Sequence, residues 1–264
     1  MIAPRGWCSP SHRANRRIAV PLGLCRMNGF IDIHCHILPG LDDGPRSKEE
    51  AEEMLALARD DGISHIVATP HMLNGVCNNT REGIAKAIAE LNGAARGISI
   101  YMGAEVRVGM EFKRLVENGA LPLINDKNFL LLELPPHVIP PVDVLEHIVN
   151  DLKIKKIIPI FSHPERNVPI VRDLSIMKRL VRCGALFQVT ATSIMNGGNT
   201  AKVTLSMMGK DYVQVVASDA HDSQRRPPLL SRCYEYVSKK IGRDLANSLF
   251  IENPLKIIHG EHFG

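Results

Sequence analysis

Two short motifs, His34-x-His36 and Asp219-x-His221, repeat one device: two metal donors separated by a single residue. Side chains of an extended strand alternate with period two, so both members of each pair face one side and reach one ion. His71, Glu105, Glu133 and His163 stand at or just after the ends of apolar runs, and Asp42 and Asp43 follow the first histidine pair. Imidazole combined with carboxylate suits Zn, Mn or Fe, whereas Ca takes oxygen ligands. The donors exceed the needs of one ion, so two or three ions sharing bridging carboxylates are expected. Close metal pairs serve in-line displacement at phosphorus. Arg166 follows His163 by three residues and Arg226 follows His221 by five. Guanidinium offers a planar fork for phosphate oxygens, so both are candidate substrate ligands, with Arg225 a weaker neighbour. His12, His65, His137, His147, His259 and His262 are read as structural or exposed.

These donors span positions 34 to 221, so the fold must gather them. From Met27 onward short β-branched runs alternate with amphipathic stretches. Strands are predicted over residues 30–34, 64–69, 98–103, 129–134, 156–162, 186–190 and 214–217. Helices are predicted over 48–61, 81–92, 110–118, 142–152, 173–183, 201–208, 228–241 and 244–251. Glycines at 62, 119 and 184 fall just past helical runs, as helix stop signals do. Seven β-then-α units predict an α/β fold with a parallel sheet, in one closed or nearly closed barrel. A doubly wound open sheet is the alternative. In a barrel the carboxyl ends of all strands open on one face, which would bring the donors to one mouth.

Composition narrows the classes. Of 264 residues 45% are hydrophobic and 23% charged, which excludes disorder as the main character. No apolar run approaches the ~18 residues of a membrane helix. Residues 1–26 hold five arginines and no acid; the rest of the chain then has 27 basic and 28 acidic residues (32 − 5 against 28). A balanced body gives no reason to expect nucleic acid. The segment 1–26 is expected to be an Arg-rich extension outside the core, upstream of a start at Met27, and 27–264 one catalytic domain. Six cysteines form no CxxC pair and read as free thiols in a reducing, cytoplasmic setting. No cysteine is followed six positions later by arginine, which excludes the Cys-x5-Arg phosphatases. The Glu-rich stretch 49–53 reads as a solvated helix face, with homo-oligomer assembly the other use.

The motif set Phe-Ile-Asp-Ile-His34-Cys-His36-Ile-Leu, Asp42-Asp43-Gly-Pro, Ala-Thr-Pro-His71, Gly-Ala-Glu105, Ser-His163-Pro-Glu-Arg166 and Ala-Ser-Asp219-Ala-His221 resembles the PHP (polymerase and histidinol phosphatase) superfamily. Arg-Pro-Pro at 226–228 and Ile-Glu-Asn-Pro at 251–254 look like the bacterial tyrosine-protein phosphatases of capsule and exopolysaccharide operons. The resemblance runs from about Phe30 to Ile258. It implies a distorted (β/α)7 barrel of PHP type, and two or three ions, most often Mn, with Fe, Zn or Mg as variants. It implies hydrolysis of phosphotyrosine by a metal-activated hydroxide on a tyrosine kinase of polysaccharide export. Carried over, His34, His36, Glu105 and Asp219 hold one ion. Glu105, near His71 and His163, bridges to others, and Asp43 and His221 complete the set. Asp43 is preferred to Asp42 by register with the motif. Arg166, Arg226 and His36 are the residues expected to carry the reaction, the arginines by binding the substrate phosphate. One departure is Thr190, where related sequences commonly place Asn, which weakens a role for the sixth strand in substrate contact. The rivals are a histidinol phosphate or other small-molecule phosphoesterase, an amidohydrolase on a similar barrel, and a non-catalytic metal-binding module.

Overall fold

The computed structural model describes residues 29–77 and 79–263; the expectation for residues 1–26 lies outside them. Among the described residues there are nine strands: β1 (Phe30–Cys35), β2 (Ile63–Ala68), β3 (His71–Met72), β4 (Ser99–Met102), β5 (Glu105–Arg107), β6 (Phe129–Glu133), β7 (Ile158–Ser162), β8 (Leu186–Thr190) and β9 (Val215–Ala217). The main helices between them are α1 (Lys48–Asp60), α2 (Arg81–Asn92), α3 (Met110–Asn118), α4 (Val142–Ile154), α5 (Val168–Arg172), α6 (Ser175–Cys183), α7 (Ala191–Met195) and α8 (Gly198–Met208). After β9 come α9 (Ser231–Lys240), α10 (Arg243–Asn247) and α11 (Asn253–His259).

All pairings are parallel, in a three-stranded sheet β1-β2-β4 and a six-stranded sheet β3-β5-β6-β7-β8-β9. The α/β class with parallel strands matches the sequence reading; one continuous sheet does not. The second and third predicted strands appear as β2 and β4, and each is followed beyond its predicted end by a short further strand, β3 and β5. Thr69-Pro70 separates β2 from β3, and Gly103-Ala104 separates β4 from β5. Proline removes a ladder donor there. A Cβ on Gly103 would fall 2.7 Å from Val67, so the chain passes too closely for a side chain. On the other flank β1 meets the chain after β9. Cys35 bridges Ala220, His36 N–H donates to the Ala220 carbonyl at 2.8 Å, and Asp219 N–H donates to the His34 carbonyl at 2.8 Å.

Helix ends follow the local sequence. Ser47 caps α1 by accepting from Glu50 N–H, and Glu49 and Glu50 face the positive end of its dipole. Part of the Glu-rich stretch is thus explained by the helix start. Gly119 and Gly184 end α3 and α6 in the left-handed region. The helix predicted over 244–251 instead runs on: α10 passes through a wide turn at Ser248–Glu252 into α11, where Pro254 is tolerated in the first turn.

The larger core lies between strands and helices, with Met54 and Leu55 of α1, Leu130 and Leu132 of β6, and Met177 and Leu180 of α6. Full burial of one such side chain contributes about 1.5–3 kcal/mol. Phe30, Tyr234 and Phe250 pack ring to ring with centroids 5.2 to 6.3 Å apart, joining β1 to α9 and the following turn. A smaller cluster joins Ile31 and Ile33 of β1 to Leu131, Ile160 and Val215 of the other sheet and to Ile257 and Ile258 of α11. Ile33 and Cys35 thus belong to different clusters. The alternation slips between them, where the β1–β2 register shifts, and both His34 and His36 turn into the site.

Candidate metal centre

Because every strand is parallel, their carboxyl ends meet on one face, and the predicted donors meet there. His34 and His36 end β1 with Nε2 atoms 3.2 Å apart. Glu105, buried at the start of β5, has Oε1 3.5 Å from His34 Nε2 and 2.8 Å from His163 Nε2. Its Oε2 is 3.0 Å from His71 Nδ1 and 3.7 Å from His36 Nε2. Asp219 Oδ1 stands 3.3 Å from His34 and 3.5 Å from His36. Asp43 Oδ1 lies 3.4 Å from His221 Nε2 and 3.5 Å from His71 Nε2. His163 and Asp219 both adopt left-handed backbone, a conformation that costs non-glycine residues energy and recurs at functional sites.

Three groups have donor atoms close enough to share an ion: His36, Asp43, His71 and His221; His34, His36 and Glu105; and His71, Glu105 and Glu133. The donor chemistry fits divalent cations. So do the orphans. His71 Nδ1, Glu105 Oε2 and Glu133 Oε2 are buried without a hydrogen-bond partner, and the 3.0 Å approach of His71 to Glu105 lacks hydrogen-bond geometry. Buried polar atoms are rarely left so.

The electrostatics agree. Burial drives His36 down to about 4, which keeps its imidazole neutral, as a ligand must be. Burial would also lower His34, but Glu105 and Asp219 beside it raise it to about 9. The proton it holds is one a cation displaces. Burial opposes the charge on Glu105, yet His34 and His163 hold its carboxyl well below the usual range. Asp219 is likewise pulled down against burial by His34, Arg166, His163 and Arg226.

The two arginines converge on one atom. Arg166 Nη1 and Arg226 Nη2 both donate to Asp219 Oδ2, the latter at 2.6 Å. They edge a cavity of about 200 Å³ lined also by Asp43, His71, Glu105, Glu133 and His163. Among the described residues no cysteine lines it. Cys35 turns away into the larger core, as alternation between the two histidines predicts, and burial holds its thiol well above the usual range.

The structure separates the two aspartates that sequence weighed. Asp43 faces the cluster. Asp42 sits behind it, Oδ2 2.6 Å from His36 Nδ1 and accepting from His71 N–H at 2.9 Å. Gly44 allows this turn, because a Cβ there would lie 2.5 Å from the His36 carbonyl oxygen. Sequence reasoning did not find Gln188, whose Oε1 lies 2.8 Å from His34 Nδ1. With Asp42 and Gln188 accepting at Nδ1, both histidines present Nε2 to the cluster. Its position inside an apolar strand was the available signal. Glu133 was seen at its strand end but not placed among the ligands; its Oε2 also lies 2.8 Å from Arg107 Nε, an ion pair without hydrogen-bond geometry. Thr190, discounted for substrate contact, accepts from Arg166 Nη2 at 3.2 Å and donates to Glu165. The strand-one Asp32 accepts from the backbone N–H of Ser218, beside Asp219. His65, read as structural, stacks on Tyr101 at 5.9 Å.

The sequence model of the capsular polysaccharide synthesis family CpsB/CapC matches residues 30–259. The chain is 35% identical over 211 residues to a putative tyrosine-protein phosphatase CapC of Staphylococcus aureus, covering 78% of this chain and 82% of that one. It is 33% identical to the tyrosine-protein phosphatase YwqE of Bacillus subtilis (strain 168), covering 82% and 87%. The crystal structures of Bacillus subtilis YwqE and Streptococcus pneumoniae CpsB, described as unique metal-dependent tyrosine phosphatases, include a chain that superposes with a TM-score of 0.83. That match has 31% identity and covers 89% of this chain and 96% of the other. A Listeria monocytogenes lactonase superposes at 0.52 with 15% identity, a likeness of fold alone. With its body matched from first strand to last helix, the chain belongs to the CpsB/CapC capsular polysaccharide synthesis family.

Proposed function

We propose that this chain is a metal-dependent protein-tyrosine phosphatase, and that its two sheets form the distorted (β/α)7 barrel of PHP type. Residues 27–264 make up its single catalytic domain. The observation that carries the reading is the convergence of Arg166 and Arg226 on Asp219 beside a buried cluster of histidines and carboxylates. Two or three divalent ions, Mn for preference, are held by His34, His36, Asp43, His71, Glu105, His163, Asp219 and His221, with Glu133 added by the geometry. Bound there, such ions supply a water activated near neutral pH and neutralise phosphoryl charge.

The chain's own groups do the rest. Arg166 and Arg226 bind the phosphoryl oxygens in a planar, charge-assisted array. Asp219 spans both halves of the site, with Oδ1 toward the histidines and Oδ2 toward the arginines. Thr190 and Glu165 brace Arg166 from behind. A tyrosyl leaving group has pKa ~10, so it departs with less proton donation than an alkoxide needs. The substrate is a phosphotyrosine protein, for which we favour a cytoplasmic tyrosine-kinase segment of polysaccharide export.

The test is the metal-stripped protein assayed on p-nitrophenyl phosphate, a phosphotyrosine peptide and histidinol phosphate, with and without Mn. Mn-dependent release from the peptide, lost in Arg166→Ala and His36→Ala, is expected. Preference for histidinol phosphate would move the function to small-molecule phosphoester hydrolysis. Retained metal with no turnover on any substrate would make the chain a binding module.

A further inference from the structure

Three segments that follow neighbouring strands expose apolar side chains that the chemistry leaves unused. Met110 is 96% exposed, Val76 87% and Val138 74%. They stand in the chain just after β5, β3 and β6, and these strands are neighbours in the order β3-β5-β6. Parallel pairing brings the three loops out side by side, at the end that carries the site. Single exposed apolar residues are ordinary; three that follow the carboxyl ends of adjacent strands bearing the site residues His71, Glu105 and Glu133 are less so. Two strand spacings make about 10 Å, the length of about three extended residues.

The row leads into the pocket along residues 134–141, Leu-Pro-Pro-His-Val-Ile-Pro-Pro. Leu134 and Pro136 line the cavity together with Ile170. Four prolines fix φ and remove donors, so the segment follows a stiff course. It is also tied to the segment that carries Arg166. Asn167 Nδ2 donates to the Pro135 carbonyl at 2.7 Å, and Val168 N–H donates to the Pro136 carbonyl at 2.9 Å. The apolar wall is therefore hydrogen-bonded to the two residues that follow Arg166.

From this we infer that the protein reads the sequence around phosphotyrosine, selecting an extended segment with apolar residues within about three positions of it. The inference rests on the phosphatase reading above. The tyrosyl ring lies against Leu134, Pro136 and Ile170. A cavity of about 150 Å³ already holds benzene, and this one is about 200 Å³. The flanking chain then crosses Val138, Met110 and Val76. Val138 follows the pocket-lining Leu134 and Pro136 by two to four residues on the same stiff segment, so a polypeptide whose phosphorylated residue enters the pocket runs on over it. A second copy of this chain or a lipid surface seated on the row would instead close the mouth.

The experiment compares kcat/KM on two phosphotyrosine peptides, one with Leu and Val beside the phosphotyrosine and one with Ser there. The Mn-loaded wild type is set against the double variant Met110→Ser, Val138→Ser, with p-nitrophenyl phosphate as the reference for each. Both side chains are exposed, and unchanged thermal unfolding checks that the variant folds. The wild type should prefer the apolar peptide by about tenfold, the scale set by burying one medium apolar side chain. The variant should lose that preference, mainly through KM. Equal rates on both peptides in the wild type, or an undiminished preference in the variant, overturns the inference. So does vesicle binding or dimerisation abolished by the substitutions while the preference stays. Absence of turnover on every substrate overturns the phosphatase reading itself, and the inference with it.

Discussion

Gln188 shows how much a single buried amide decides. Its side-chain oxygen lies 2.8 Å from His34 Nδ1, and its Nε2 donates to the Val189 carbonyl at 2.8 Å, so the amide cannot turn freely. Held this way, His34 keeps a proton on Nδ1, and Nε2, toward Glu105 and Asp219, is the nitrogen a cation takes when it displaces the second proton. Substituting Gln188→Leu keeps the volume and removes the acceptor. Partners of this kind typically govern metal affinity by 10–100-fold, and a loss of that size is expected. Mn titration by calorimetry on the stripped protein reads it directly. Gln188→Glu, which keeps an acceptor at Nδ1, should recover most of the affinity. Unaltered Mn binding in Gln188→Leu would remove the tautomer-fixing role. Asp42 does the same for His36. A polar residue inside an apolar strand marks Gln188 as unusual, but which imidazole each partner stands behind is decided only by the fold.

At the scale of elements, strand and helix placement was legible because each rests on local pattern. The strand at 186–190 and the helices at 81–92 and 110–118 appear with the predicted bounds. The breaks between β2 and β3 and between β4 and β5 were not legible, because they depend on which neighbour each half pairs with. A similar long-range dependence governs the start of α9. Its cap residue Leu230 offers no side-chain acceptor. Asp61, at the end of α1, does so instead, accepting from the N–H groups of Leu230 and Ser231 and from the Ser231 hydroxyl. Losing an N-cap acceptor costs about 1 kcal/mol, and leaving buried donors unpaired adds to it. Asp61→Ala should therefore lower stability by about 1–2 kcal/mol in urea unfolding, with Mn affinity unchanged. Burial raises the Asp61 pKa despite those donors. The folded state then holds this proton to higher pH than the unfolded state does. The contribution is present below the unfolded pKa and is lost as pH rises through the folded one. The stability advantage of wild type over Asp61→Asn should thus shrink as pH rises across the acidic range. An advantage that grows instead would reverse the assigned shift.

At the scale of the whole molecule, the candidate centre lies where the two sheets meet. His34 lies on β1 of the three-stranded sheet and His36 just past its end, whereas His71, Glu105, Glu133 and His163 stand on or beside strands of the six-stranded one. Asp219 and His221 lie in the loop between β9 and α9, which pairs beside the end of β1 through the Cys35–Ala220 bridge. Strand-end position made this convergence readable from the sequence, since parallel strands share one open face. That the ligands straddle a seam was not readable, because the sequence does not say where a sheet divides. Ions shared across the seam, as proposed above, would fasten one sheet to the other, while the smaller apolar cluster joins them elsewhere without metal. Removing the ions should therefore weaken one region more than the rest. A site saturated at 100 times its Kd contributes about 2.7 kcal/mol, and a chain of this size loses about 2–4 °C per kcal/mol. Chelation should lower the unfolding temperature by about 5–10 °C, with Mn restoring it. Hydrogen exchange should rise first at His34, His36 and residues 218–226, whereas Leu131 and Ile160 in the apolar cluster stay protected. Uniform loss of protection across both sheets would show that the ions stabilise the fold as a whole, and the seam would then have no special dependence on them.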